Sequence, residues 1–366
     1  MLPSVVTHRR ALHRIPELSD QLPETTAYVR SVLAPLRCTV SAPIPGAVCA
    51  WFDAGKTETV AFRADMDALP ETENTGLPYA SAHPGRMHAC GHDGHTAMAL
   101  ALAEYVSDHL EELPRNVLLL FQPAEETFGG ARPLCETGIL EAHRVVRVFG
   151  LHLWPKLEAG RVFTRPGPLM ARANEITVTV TGHSVHISRA SQGRDALAAG
   201  VSFYQRAAAL AASVPPPRVL AFGKLVSGTV RNAVSGETVL EGTLRTYHEE
   251  TYRACREGLE RIGREVTAES GCRVDVRLSD GYPAVWNDET LYGSLCRQLG
   301  ADAPALLAEP VLAAEDFSFY QQRVPGVFCF LGVGDTAELH APEFCFDDTA
   351  VLPKGVDFLK RLLMLP

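Results

Sequence analysis

No stretch of this 366-residue chain approaches the ~18 consecutive apolar residues that a membrane-spanning helix needs. No block of lysine or arginine offsets a formal net charge of −9, which argues against nucleic acid or an anionic membrane as the main partner. The opening residues, Met1 to Val6, lack the basic region and apolar core of a secretory signal, and Arg9, Arg10 and Arg14 break any hydrophobic run, so no signal peptide is expected. Paired cysteine spacing is missing too. The nine cysteines stand at 38, 49, 90, 135, 255, 272, 296, 329 and 345, with no Cys-x-x-Cys for a dithiol redox centre and no framework of staples, which fits a reducing cytoplasm. Internal repeats and low-complexity tracts are absent as well.

What is present is a composition of ordered globular protein, 46% hydrophobic and 21% charged, at a length suited to two domains. Within it, Met87-His88-Ala89-Cys90-Gly91-His92-Asp93-Gly94-His95 packs three imidazoles, a thiol, a carboxylate and two glycines into nine residues. Packing requires no such mixture. Cys90 and His92, two apart, can aim at one metal ion, and Gly91 relieves crowding between them. From Thr96 to about His109 the apolar spacing is helical, which puts the cluster in the loop that enters a buried helix. Two ligands do not complete a metal site, and the remainder must come from elsewhere in the chain.

Three apolar runs end in candidates. Residues 58–64 read as a central strand ending in Asp65 and Asp67; Asn116 to Phe121 runs into Gln122-Pro123-Ala124-Glu125-Glu126; Val145 to Gly150 runs into His152. Adjacent carboxylates at a strand end repel. Either the pair is a solvated acidic turn, or one binds a cation while the other is poised as a base. Strands alternating with helices predict an α/β architecture with a mostly parallel sheet, whose strand ends converge on one edge. Helices are expected across residues 4–36, ended by Pro16 and Pro35, with His8 and His13 at the surface. Glu315-Asp316-Phe317 and Leu339-His340 stand out near the end of the chain.

Composition changes near residue 173. Glu175 to Thr181 alternates polar and apolar, and the order strand-helix-strand-strand-helix-strand that follows predicts a ferredoxin-like α+β insert. Helices are expected from about Asp195 to Ala212, broken by Pro215-Pro216-Pro217, and from Glu249 to Ser270. The expected organisation is a first domain in two parts, 1–172 and 286–366, with the insert at 173–285.

Taken together, Arg63-Ala64-Asp65-Met66-Asp67-Ala68-Leu69-Pro70, His88 to Thr96, Gln122-Pro123-Ala124-Glu125-Glu126, Gly150-Leu151-His152 and Leu339-His340 resemble the two-metal aminoacylase/carboxypeptidase family. The likeness is strongest to its amidohydrolase branch of hippurate hydrolases, auxin-conjugate hydrolases and N-acetyl-diaminopimelate deacetylases. The resemblance implies a di-metal catalytic domain, with Cys90 bridging two divalent ions, His92 and His152 completing one site and Glu126 and His340 the other. It implies Glu125 as general base and Asp65 as a carboxylate orienting a metal-bound imidazole. The insert resembles the family's lid and dimerisation domain, with His186 the oxyanion-stabilising histidine and Asn232 near the substrate carboxylate. The expected ions are zinc or manganese, with cobalt or nickel compatible, and the expected assembly is a homodimer or higher homo-oligomer. The implied activity is hydrolysis of an N-acyl amino acid or related small amide. A carboxypeptidase or dipeptidase using the same site on short peptides, and a metal-bearing binding protein without catalysis, are the alternatives.

Overall fold

The computed structural model describes residues 2–215 and 218–365; two of the three prolines expected to break the chain after the insert's first helix, at positions 216 and 217, lie outside them. The apolar runs become strands buried on both faces: Thr59–Asp65, Asn116–Gln122 and Gly326–Gly332 are buried at every position, the pattern of a sheet covered by helices on either side. Among the described residues the large sheet runs in the order Thr39–Ser41, Val48–Phe52, Asn116–Gln122, Thr59–Asp65, Val145–Trp154, Gly326–Gly332, Val162–Thr164, Ala305–Leu306. Thr59–Asp65 pairs parallel with both its neighbours, and Val145–Trp154 parallel with Gly326–Gly332. The mostly parallel α/β sheet expected from the sequence is therefore present, and Asp65, Gln122 and His152 lie towards the same ends of neighbouring strands.

The helix that follows the Cys/His cluster runs His92–Asp108 and is buried over most of its length, as a helix apolar on all sides must be. It packs against Ser4–His13 and Asp348–Leu363. It begins at His92 rather than Thr96, so the cluster straddles the loop and the first helical turn. Gly91 makes this possible: its φ of +86° lies in the left-handed region that other residues adopt at a cost, and the Asp93 carboxylate in the first turn suits the positive end of the helix dipole.

His8 and His13 are not at the surface. Both are buried, at 8% and 0% exposure. His8 Nε2 lies 3.1 Å from Glu104 Oε1. His13 lies between Asp93 Oδ2, 2.8 Å from its Nδ1, and Glu73 Oε1, 3.2 Å from its Nε2. Carboxylates distant in sequence offset the cost of burying these imidazoles, and nothing in the local spacing of the first helix marks them.

The chain divides into two compact units: Met1–Leu169, Val285–Pro310 and Asp316–Pro366 form one, Met170–Ala284 and Val311–Glu315 the other. In the second unit, Arg172–Thr181, Val219–Ser227, Glu237–Thr246 and Arg273–Leu278 form an antiparallel sheet in the order fourth, first, third, second. The helices Ala196–Ser213 and Glu249–Ser270 connect them, which is the ferredoxin-like arrangement. Ile176, Val178 and Val180 supply the buried face of the first strand and pack with Phe203 and Leu259. Asp195 caps the first of these helices by accepting from Leu197 N and Ala198 N. No helix among the described residues is long and apolar enough to cross a membrane.

Candidate metal centre

Five side chains of the first unit meet as two overlapping sets. Ligand atoms of Cys90, His92 and His152 all lie within 4.8 Å of one another, and so do those of Cys90, Glu126 and His340. Cys90 belongs to both. Cys90 Sγ is 3.5 Å from His152 Nε2, His92 Nε2 is 3.8 Å from Glu126 Oε1, and His340 Nε2 is 3.2 Å from the same oxygen. Ligands at the usual ~2.0–2.3 Å from a tetrahedral ion stand roughly 3.3–3.8 Å apart; the Cys90–His152 spacing falls in that range and the Glu126–His340 spacing just below it.

The imidazoles are turned for this purpose. His92 donates Nδ1–H to the carbonyl of Asp67 at 2.8 Å, and His152 donates Nδ1–H to the carbonyl of Leu153 at 2.6 Å. Each ring thereby presents a bare Nε2 to the cluster, the usual tautomer lock of a metal-binding histidine. His92 Nε2 is buried without a hydrogen-bond partner. A buried acceptor left unmatched costs about 1–3 kcal/mol, which a cation would offset. His340 enters with φ +67°, a conformation that costs a non-glycine residue and recurs at functional sites, and is pinned by donation of its N–H to Ala89 O at 2.9 Å.

The electrostatics point the same way. Burial, and then the carboxylates of Glu126 and Glu125, push the Cys90 thiol well above its ordinary value; a nearby cation reverses that balance and yields the thiolate. Burial alone would lower His92, but Asp65, Asp67 and Glu126 outweigh it and push it up to about 10, so the carboxylates favour positive charge at its Nε2, which an ion supplies in place of a proton. His152 is held well below its usual value by burial and by His95, which keeps it neutral and able to donate a lone pair. A positive ion is the species this donor set fits.

Around the ligands, the structure assigns orienting work differently from the expectation for Asp65. The imidazole that Asp65 holds is that of His95, at 2.6 Å from Oδ1. His95 is not turned toward the cluster as His92 is, because its Nε2 accepts the N–H of Leu153 at 2.8 Å. The orienting partner of His92 is the Asp67 carbonyl. The Asp67 carboxylate also accepts the backbone N–H groups of Glu125 and Glu126, at 3.0 and 3.1 Å, and so shapes the turn that carries them. Asp67 and His95 sit inside stretches the sequence singles out, yet only the fold reveals their partners. Glu125 is buried beside Glu126, and its carboxylate falls within the same 4.8 Å limit of His92 and Glu126.

His186 and Asn232 belong to the second unit. Both are exposed there. His186 Nδ1 lies 2.8 Å from Ser188 Oγ, and the loops of the two residues are joined by donation of Ile187 N–H to the carbonyl of Asn232 at 2.9 Å.

Comparison with known proteins agrees with this geometry. The N-acetyldiaminopimelate deacetylase of Lacticaseibacillus paracasei is 34% identical over 363 residues, covering 95% of this chain and 94% of that protein. The N-acetyl-L-cysteine deacetylase of Bacillus subtilis is 35% identical over 97% of this chain and 87% of its own length. A solved dinuclear metal-binding peptidase of family M20 from Bacillus subtilis superposes with a TM-score of 0.87 at 32% identity, covering 98% of this chain and 96% of that one. Fold, donor set and relatives together define a metal-dependent amidohydrolase of the aminoacylase type. The chain belongs to peptidase family M20/M25/M40, whose model matches residues 61–365.

Proposed function

We propose that the enzyme hydrolyses the amide bond of N-acyl amino acids, with Cys90 shared between two divalent ions, zinc or manganese, that His92 and His152 hold on one side and Glu126 and His340 on the other. The observation that carries the reading is the pair of side-chain sets meeting at Cys90, with the buried Nε2 of His92 lacking a hydrogen-bond partner. When bound, such a pair of ions lowers the pKa of water towards ~7 and polarises a carbonyl. Glu125 takes the water's proton on its carboxylate and later delivers it to the departing nitrogen, the double duty of a general acid–base group. The turn that Asp67 holds keeps this carboxylate beside Glu126. The N-acyl substrate class is supported by the activities named for the two deacetylases above.

For the second unit we propose the role of lid and dimerisation domain, with His186 stabilising the oxyanion and Asn232 meeting the substrate carboxylate. Family membership supports these two roles. A homodimer is supported by the apolar surface of this unit: Leu197, Val201 and Tyr204 lie along one exposed stripe of a helix, and Leu225 and Val226 are exposed on the strand Val219–Ser227 at the edge of its sheet. An unpaired apolar edge strand invites pairing with a second copy.

The test is release of free amine from a pooled panel of N-acetyl, N-benzoyl and longer N-acyl amino acids, with and without chelator and with divalent metal restored. Release that chelator abolishes and metal restores is the expected result. Release from short peptides alone, or none from folded and metal-supplied enzyme, overturns the N-acyl reading.

A further inference from the structure

Asp316 plays no part in the chemistry outlined above, yet it is fully buried and its carboxylate bonds residues at both ends of the loop that carries Glu125 and Glu126. Its Oδ1 accepts from Arg63 Nη2 at 2.6 Å. Its Oδ2 accepts from Gln122 Nε2 at 2.7 Å and from Ala131 N at 2.9 Å. Gln122 is the last residue of the strand Asn116–Gln122 and Ala131 the first of the helix Ala131–Glu136. Between them lies the loop that carries Glu125 and Glu126. One carboxylate from a remote part of the chain thus grips the residues flanking both ends of that loop.

The neck of the loop is tight. Gly129 N and Gly130 N both donate to Ala124 O, at 3.0 and 3.2 Å. A Cβ on Gly130 would stand 2.0 Å from the carbonyl oxygen of Pro123, so only glycine allows the two ends to approach this closely. Arg63 extends the grip sideways: its Nε donates to Gln122 Oε1 at 2.9 Å, and Nη1 donates to Asp65, the carboxylate that holds His95. A carboxylate oxygen of Asp316 also lies within 4.8 Å of one of Glu125. The clasp therefore lies close to the proposed base.

We propose that Asp316 is a positioning residue for the reaction: it fixes the neck of the loop so that Glu125 and Glu126 are held in register with Cys90 and His340. The inference rests on the roles given above to those residues. A carboxylate is required because all three partners are donors. An asparagine in its place accepts at one atom and turns an NH₂ group toward either Arg63 or the amides of Gln122 and Ala131. With Arg63, Gln122 and Ala131 satisfied by its two oxygens, Asp316 acts through the loop rather than as a ligand.

The experiment compares the wild-type chain with Asp316→Asn, Gln122→Met and Asn116→Ala. It reads zinc and manganese binding to the metal-free protein by calorimetry, kcat and KM at saturating metal, and Tm. Asn116 lies at the opposite end of the same strand, where its Oδ1 accepts from Ala54 N and Lys56 N, so its variant reports destabilisation alone: a lower Tm with both ions and kcat unchanged. For Asp316→Asn, one ion should bind as in the wild type and the second, on the Glu126 side, about 10–100-fold more weakly. At saturating metal its kcat should fall by about 10²-fold, the cost of misplacing a reacting group by some 1 Å, with KM little changed. Gln122→Met should shift both readouts the same way by less, and decides the matter if Asp316→Asn does not fold. Variants that keep both ion affinities and kcat, or that lose them only in proportion to Tm as Asn116→Ala does, overturn the clasp. Wild-type protein that takes up no second ion overturns the metal reading, and the clasp with it.

Discussion

His95 accepts the backbone N–H of Leu153 on its Nε2 at 2.8 Å, and this one bond separates two histidines that the sequence presents as equals. With Nε2 occupied, His95 supplies Asp65 with a donor, whereas His92 keeps its Nε2 bare for the cluster. The two should respond differently to substitution. His92→Ala is expected to lose an ion outright. His95→Phe should retain both ions, since none of the five proposed ligands hydrogen-bonds to its ring. Metal analysis after dialysis, followed by calorimetry, distinguishes them, and equal loss of stoichiometry would contradict the assignment.

Glu125→Gln keeps the size of the side chain and removes its ability to take a proton. Turnover should fall by about 10²–10⁴-fold while two ions per chain remain bound. Metal content and amine release measured on one preparation check this. Near-normal turnover in the variant would remove Glu125 from the role of base.

A pH effect follows from Asp348. Burial alone would raise its carboxyl, but hydrogen bonds and charge from Arg10 and Arg9 hold it below its ordinary value. A depressed folded-state value contributes stability that is full above the unfolded pKa of about 3.9 and is lost as pH falls through the folded one. Asp348→Asn should therefore lower unfolding stability at pH 7 by on the order of 1–3 kcal/mol, with the two curves converging under acid conditions. Urea unfolding from pH 7 down to about pH 2 tests it, and a gap that stays constant through the acid end of that range rules out the linkage.

Val226→Asp places a charge on the exposed edge strand of the second unit. If that edge is the dimer contact, sedimentation should show the wild type as a dimer and the variant as a monomer with its secondary structure intact. A monomeric wild type, or a dimer in both, would send the interface elsewhere.

The sequence made the strands legible because a strand buried on both faces is an unbroken apolar run, as in Asn116–Gln122, and the insert legible because Glu175 to Thr181 alternates. The five candidate side chains were picked out by motif order, and they do meet. Hydrogen-bond direction was not readable. That Asp65 holds His95 rather than a ligand, or that His13 is buried against Asp93 and Glu73, depends on partners brought together by packing. Asp316 is the extreme case: its neighbours in sequence gave no hint of Arg63, Gln122 and Ala131. The start of the helix at His92 was also missed, since a positive-φ glycine can open a helix among residues whose pattern reads as loop.

The proposed ligands arrive on the chain in two instalments. Cys90, His92, Glu126 and His152 all precede the second unit, whereas His340 follows it. At ~5–20 residues per second of synthesis, roughly 10–40 seconds separate the emergence of His152 from that of His340. A nascent chain can thus bring out Cys90, His92 and His152 together while the other half of the cluster still awaits a histidine not yet made.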